Sequence, residues 1–175
     1  MNLIPNWAEI CNVKVLFAQL FGFIPMTLAY FVFMFNDRRK VISIKACSDF
    51  LWSIHFILLN EMSGAFVNGI NVVRNIIFFQ KQKWNLGIVV PVIFCIITVL
   101  CTILSGDGLK CIFPLTGSCF AIFGFWCTKP ENIRKFNLPA VILWLIYGII
   151  TGSISTIISN GFSCASILTA ELKSK

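Results

Sequence analysis

From Phe136 to Ala170 the chain reads FNLPAVILWLIYGIITGSISTIISNGFSCASILTA, 35 residues without one charged side chain. A helix crosses the ~30 Å hydrocarbon core of a bilayer in ~20 residues, so this stretch is too long for one span. Thr151-Gly152-Ser153 supplies a turn near its middle. We read it as two short helices running in opposite directions.

The rest of the chain divides in the same way. A charge-free run at 15–35 ends at Asn36-Asp37-Arg38-Arg39-Lys40, and a second run, 41–60, carries Lys45, Asp49 and His55. A tight turn at 61–64 leads to a third, 65–80, which carries Arg74 and closes at Lys81-Gln82-Lys83. The run 86–105 is uncharged; Gly106-Asp107-Gly108 follows as a turn, then the run 111–127 and a polar loop at 129–135. The expected class is an all-α integral membrane protein of seven transmembrane helices. Composition agrees: only 12% of residues are charged, against roughly 25% in a soluble domain, and the mean hydropathy is +0.87.

The net charge of +7 does not point to nucleic acid, because Lys and Arg form short clusters between apolar runs, with no basic helix face or tail. Of the fourteen basic residues, all but Lys14 and Lys110 fall in or nearest the first, third and fifth loops and the C-terminal tail. The positive-inside rule makes that side cytoplasmic, with the N-terminus outside and the C-terminus inside. The partner implied is the lipid bilayer. The N-terminus shows neither a basic n-region nor an Ala-x-Ala-like site, so the first run is expected to stay in the membrane. The cysteines (Cys11, Cys47, Cys95, Cys101, Cys111, Cys119, Cys127 and Cys164) have no Cys-x-x-Cys spacing and read as small packing residues. No phosphate loop, His-Glu-x-x-His or Gly-x-Ser-x-Gly motif is present, so no enzyme, metal site or cofactor is expected.

Shifting the chain by 92 residues lays one half on the other without a gap. Leu51-Trp52-x-Ile54-x-x-Ile57 falls on Leu143-Trp144-x-Ile146-x-x-Ile149, His55 on Tyr147, Asn68-Gly69 on Asn160-Gly161, and Lys81-x-Lys83 on Lys173-x-Lys175. Within a single membrane domain, 1–175, this gives three-helix repeats at 15–83 and 107–175 and a linker helix at 84–106. An odd helix between the repeats restores their direction, so the two bundles would be parallel, a 3+1+3 arrangement. Transporters with parallel repeats bind solute near the midplane between the halves.

These residues resemble known families. The 3+1+3 order is similar to the SWEET, PQ-loop and PnuC-type transporters, in which a Trp on the second helix of a bundle and an Asn on the third face a central pocket. Trp52 and Asn68, like Trp144 and Asn160, stand at the Trp–Asn separation of bacterial half-sized SWEET proteins. More closely, His55-Phe56-x-Leu58-Leu59, Gly64-Ala65 and Asn71-x-x-Arg74 resemble the bacterial YgjV inner-membrane family, as do Trp144-x-x-Tyr147 and Gly152-Ser153-Ile154. The resemblance covers nearly the whole chain and implies a bacterial inner membrane. The chain departs from the wider group in having no Pro-Gln dipeptide, and Pro25, Pro91, Pro114 and Pro139 do not align between halves.

The polar groups inside the apolar runs are the candidate site. Trp52, His55, Asn68, Asn71, Trp144, Tyr147 and Asn160 are expected around a substrate pocket, since polar residues at membrane depth usually face a cavity. The other reading of the Asn and Trp pairs is helix–helix bonding and interfacial anchoring. Asp49 and Arg74 flank the turn near residue 62 at similar depth and are expected to pair, with Lys45, one turn before Asp49, as a competitor. That pair reads either as a structural latch or as a gate or proton-coupled carboxylate. His55 reads as a hydrogen-bonding pocket wall or a proton relay, and its counterpart Tyr147 favours the wall. The expected function is alternating-access passage of a small, neutral polar solute, stacked between Trp52 and Trp144 and bonded by Asn68 and Asn160. The alternative is a non-transporting ligand receptor or assembly factor on the same fold. Either is compatible with a homo-oligomer.

Overall fold

A computed structural model describes residues 13–32, 35, 37–81 and 83–173. Cys11, Asn36, Gln82 and Lys175 lie outside the described residues. The described residues form seven α-helices and no strand: α1 (Val13–Val32), α2 (Arg38–Leu58), α3 (Met62–Phe79), α4 (Val89–Leu104), α5 (Ile112–Trp126), α6 (Pro130–Thr151) and α7 (Ile154–Lys173), with a 3-10 turn at Gly108–Cys111 before α5. Five helical segments are long and apolar enough to cross a membrane: Val13–Val32, Arg38–Leu58, Met62–Phe79, Gly108–Trp126 and Glu131–Thr151. Val89–Leu104 and the apolar part of α7, Ile154–Thr169, are shorter. At 1.5 Å per residue, the 16 residues of α4 reach only ~24 Å.

The helix ends follow from local chemistry. Asp37 caps α2, its carboxylate accepting the Arg39 amide at 2.9 Å. The ends of α2 and α6 are built alike. Asn60 (φ 59°) and Gly152 (φ 67°) both take the left-handed conformation that closes a helix. Glu61 N then donates to Phe56 O and Ser153 N to Gly148 O, both at 2.9 Å, as in a Schellman motif. Asn60 and Gly152 are themselves 92 residues apart.

Six helices close a ring in the order α1, α2, α3, α5, α6, α7, and α4 packs outside it against α3 and α5. Large apolar side chains face outward, among them Leu16, Leu20 and Ile24 on α1 and Ile93, Ile96, Leu100 and Ile103 on α4. The interior holds Ser48, Asp49, His55, Ser63, Asn71, Arg74, Asn75, Ser118 and Ser153. An apolar exterior around a polar interior suits hydrocarbon, where every buried polar group must find a partner inside the protein.

The helix turns place Arg38, Lys81 and Lys129 at one end of the ring (the Arg38 end) and Glu61, Asp107 and Gly152 at the other (the Glu61 end). At the Arg38 end, Arg38 Nη2 donates to Phe78 O at 3.0 Å and Lys81 Nζ to Trp126 O at 2.6 Å. Lys81 also stands 4.0 Å from the Trp126 ring centroid. These cations cap the carbonyl ends of α3 and α5, where the helix dipole favours positive charge. An apolar cluster that includes Val32, Ile42, Phe78, Ile122, Phe125 and Ile133 packs beneath them.

Candidate functional site

A cavity of about 70 Å³ lies inside the ring, with a wall drawn from all six helices and none from α4. That volume holds a few waters or a solute of a few heavy atoms. The wall is built in pairs. Trp52 and Trp144 come from α2 and α6, and Asn68 and Asn160 from α3 and α7. Ala29 with Ala121, Lys45 with Asn137, and Asn71 with Ser163 add three more pairs, each 92 residues apart.

The two tryptophans do not face each other across an empty slot. Phe56 packs against both, its ring centroid 6.0 Å from Trp52 and 5.9 Å from Trp144. The three rings form an aromatic floor toward the Glu61 end, and Tyr147 packs behind it, 5.6 Å from Phe56. Phe56 fits there because Gly64 lies beneath its ring: a Cβ on Gly64 would come within 2.8 Å of it. The amides of Asn68 and Asn160 donate to carbonyls of their own helices, Gly64 O at 2.8 Å and Thr156 O at 2.9 Å. Neither bond ties one helix to another.

His55 and Tyr147 stand behind this floor, not in the cavity wall. Each reaches from one half into the other. His55 Nδ1 meets Ala18 O at 2.9 Å; the carbonyl can only accept, so Nδ1 carries a proton. Its Nε2 meets Ser153 Oγ at 2.8 Å and Ser155 Oγ at 3.4 Å. Tyr147 Oη meets Ser63 Oγ at 2.9 Å and donates to Glu61 Oε2 at 3.4 Å. Positions 61 and 63 are the 92-residue counterparts of 153 and 155, so the two contacts mirror each other as a reciprocal clasp. Gln19 adds bonds to Gly152 O at 2.8 Å and from Ile154 N at 3.0 Å. Asp107 accepts from Ser63 N, and Lys110 donates to Glu61 Oε2, both at 2.6 Å. Burial holds the Glu61 carboxyl above its usual range, and Lys110 opposes the shift.

Toward the Arg38 end the wall is charged. Asp49, fully buried, accepts from Lys45 and from Asn75 Nδ2 at 2.8 Å. Arg74 Nη2 lies 3.9 Å from Asp49 and donates to Asn75 Oδ1 at 2.9 Å, so Asn75 joins the two. Lys45, Asn71 and Arg74 line the cavity; Asp49 and Asn75 stand behind them. Phe56, Asn137 and Ser163 in the wall, and Asn75 behind it, are not among the residues expected from the sequence. The 92-residue shift carried the signal for two of them, since Asn137 is the counterpart of Lys45 and Ser163 of Asn71. Asn75 was legible only as a second polar residue beside Arg74.

Apolar helices around a buried, partly charged cavity define the chain as an integral membrane protein with an internal polar site. A family model for bacterial inner membrane proteins, Imp-YgjV, matches residues 16–173, and the chain belongs to that family. No curated protein and no solved structure matches it.

Proposed function

We propose that the chain carries a small polar solute across the bacterial inner membrane by alternating access, with the six-helix cavity as its site. In this reading α1–α3 and α5–α7 are parallel three-helix bundles and α4 is the linker, a 3+1+3 transporter like the SWEET and PQ-loop group. All seven helices cross the membrane, the short α4 and α7 by local thinning of the bilayer. The Arg38 end is cytoplasmic, as its basic loops suggest. No chemistry is performed on the solute.

The observation that carries this reading is the paired wall. Ten lining residues form five pairs from corresponding places in the two halves, as expected of a site at a repeat interface. The clasp of His55 and Tyr147 gives the site a closed face, and its hydrogen bonds between halves can break and re-form as the halves rock. The aromatic floor and the two amides suit a neutral polar group.

Counterflow of a small-metabolite panel in proteoliposomes tests the proposal. Saturable, solute-specific exchange that is lost in Trp144→Ala supports it. Binding of a solute without exchange supports a receptor or assembly factor instead. Reporter fusions at 129–135 test the orientation, and a signal from outside the cell there would reverse it.

A further inference from the structure

We infer that the solute is a small monocarboxylate with a hydrogen-bond donor beside its carboxylate, an α-hydroxy or α-amino acid, held by the guanidinium of Arg74. This rests on the transport reading for what the site does, and replaces the neutral solute that the amides alone would suit.

The charges around the cavity do not balance. Lys45 and Arg74 line it and Asp49 is the one carboxylate that meets them, which leaves a positive charge in excess among the described residues. Asp49 is already occupied on both oxygens, by Lys45 and by Asn75. Arg74 spends Nε and Nη2 on Asn75 Oδ1 at 3.2 and 2.9 Å. Its Nη1 is buried and has no hydrogen-bond partner. The guanidinium carbon stands 5.2 Å from the centroid of the Phe125 ring and 5.8 Å from that of Phe78. Ring faces attract a cation but offer no acceptor of full charge; an anion answers both the charge and the bond.

The neighbouring orphan narrows the class. Asn71 Oδ1 is also buried and unpartnered, and Asn71 lines the same cavity one helical turn before Arg74. A ligand that accepts from Arg74 and donates to Asn71 satisfies both. A carboxylate with a hydroxyl or amino group on the adjacent carbon has that arrangement, and such a molecule suits the small cavity. A dianion would overshoot the excess charge, and a neutral alcohol would leave it uncompensated.

The test compares lactate with lactamide, its uncharged analogue, on the purified full chain, by thermal shift and tryptophan fluorescence. Lactate should raise the melting temperature and bind at least about tenfold more tightly than lactamide. Arg74→Gln should abolish the difference. Because that variant can fail to fold, Asn71→Asp gives a second arm: a carboxylate one turn from Arg74 should occupy the guanidinium, raise the melting temperature without ligand and remove the lactate response. Equal responses to lactate and lactamide, no response to lactate, or a full lactate response in Asn71→Asp would each overturn the assignment. Proteoliposome flux separates it from the reading beneath it. Lactate binding without lactate flux ends the transport reading and keeps the anion site. Lactamide flux without lactate binding does the reverse.

Discussion

Asp49 is the one carboxylate that Lys45 and Arg74 meet among the described residues. Changing it to Asn leaves Lys45 and Arg74 facing each other without a counter-charge, and removing one partner of a buried pair costs about 3–5 kcal/mol. Arg74→Gln should cost less, because Lys45 and Asn75 still serve Asp49. Chemical denaturation in mixed micelles should therefore rank Asp49→Asn as more destabilising than Arg74→Gln, with the double variant recovering part of the summed loss. Additive losses would show that the groups act independently. Asn68 and Asn160 behave differently, since each bonds only its own helix. Asn68→Ala and Asn160→Ala should each lower stability by no more than about 1 kcal/mol while weakening solute binding; a large loss of stability with binding intact would make them structural.

At the scale of elements, the turns after α2 and α6 and the clasp above them set how the halves meet. Gly152→Ala should cost about 1 kcal/mol, because its left-handed backbone disfavours a Cβ. Asn60→Gly, at the matching turn, should not destabilise, since glycine takes this conformation most readily, and melting temperatures of the two variants would show the contrast. Gly22→Ala puts a Cβ on Ser155 Oγ and 2.8 Å from the His55 ring. It should pry α1 from the clasp, costing about 1–3 kcal/mol, with faster amide exchange at 153–156 as the readout.

The helices themselves were legible from hydropathy and charge clusters, and their ends fell within about three residues of the expected turns, with one exception. Helix α6 begins at Pro130, inside the stretch 129–135 expected to be a loop, because Pro at the first position starts the helix in a polar turn before its apolar part. The 92-residue shift pointed to Trp52, Trp144, Asn68 and Asn160, and all four line the cavity. Side-chain direction was not legible. A repeat fixes depth but not the face of the helix, so His55 and Tyr147, placed in the pocket by depth, turn instead to the opposite half. Phe56 was hidden for a related reason: its counterpart is Gly148, and only the approach of Gly64 gives a ring at position 56 its place between the tryptophans.

For the whole molecule, alternating access requires one cavity that opens in turn to each side of the membrane. At the Glu61 end, hydrogen bonds of His55, Tyr147, Gln19, Asp107 and Lys110 join the halves. Breaking them while the Arg38 end closes would expose the same wall to the opposite side. Ser163 lines the cavity and is nearly isosteric with Cys, so Ser163→Cys in a cysteine-free background reports access directly. A membrane-impermeant thiol reagent applied to each face of oriented vesicles should label it from both, with solute altering the two rates. Labelling from the Arg38 face alone, with or without solute, would contradict alternating access and leave a one-sided receptor.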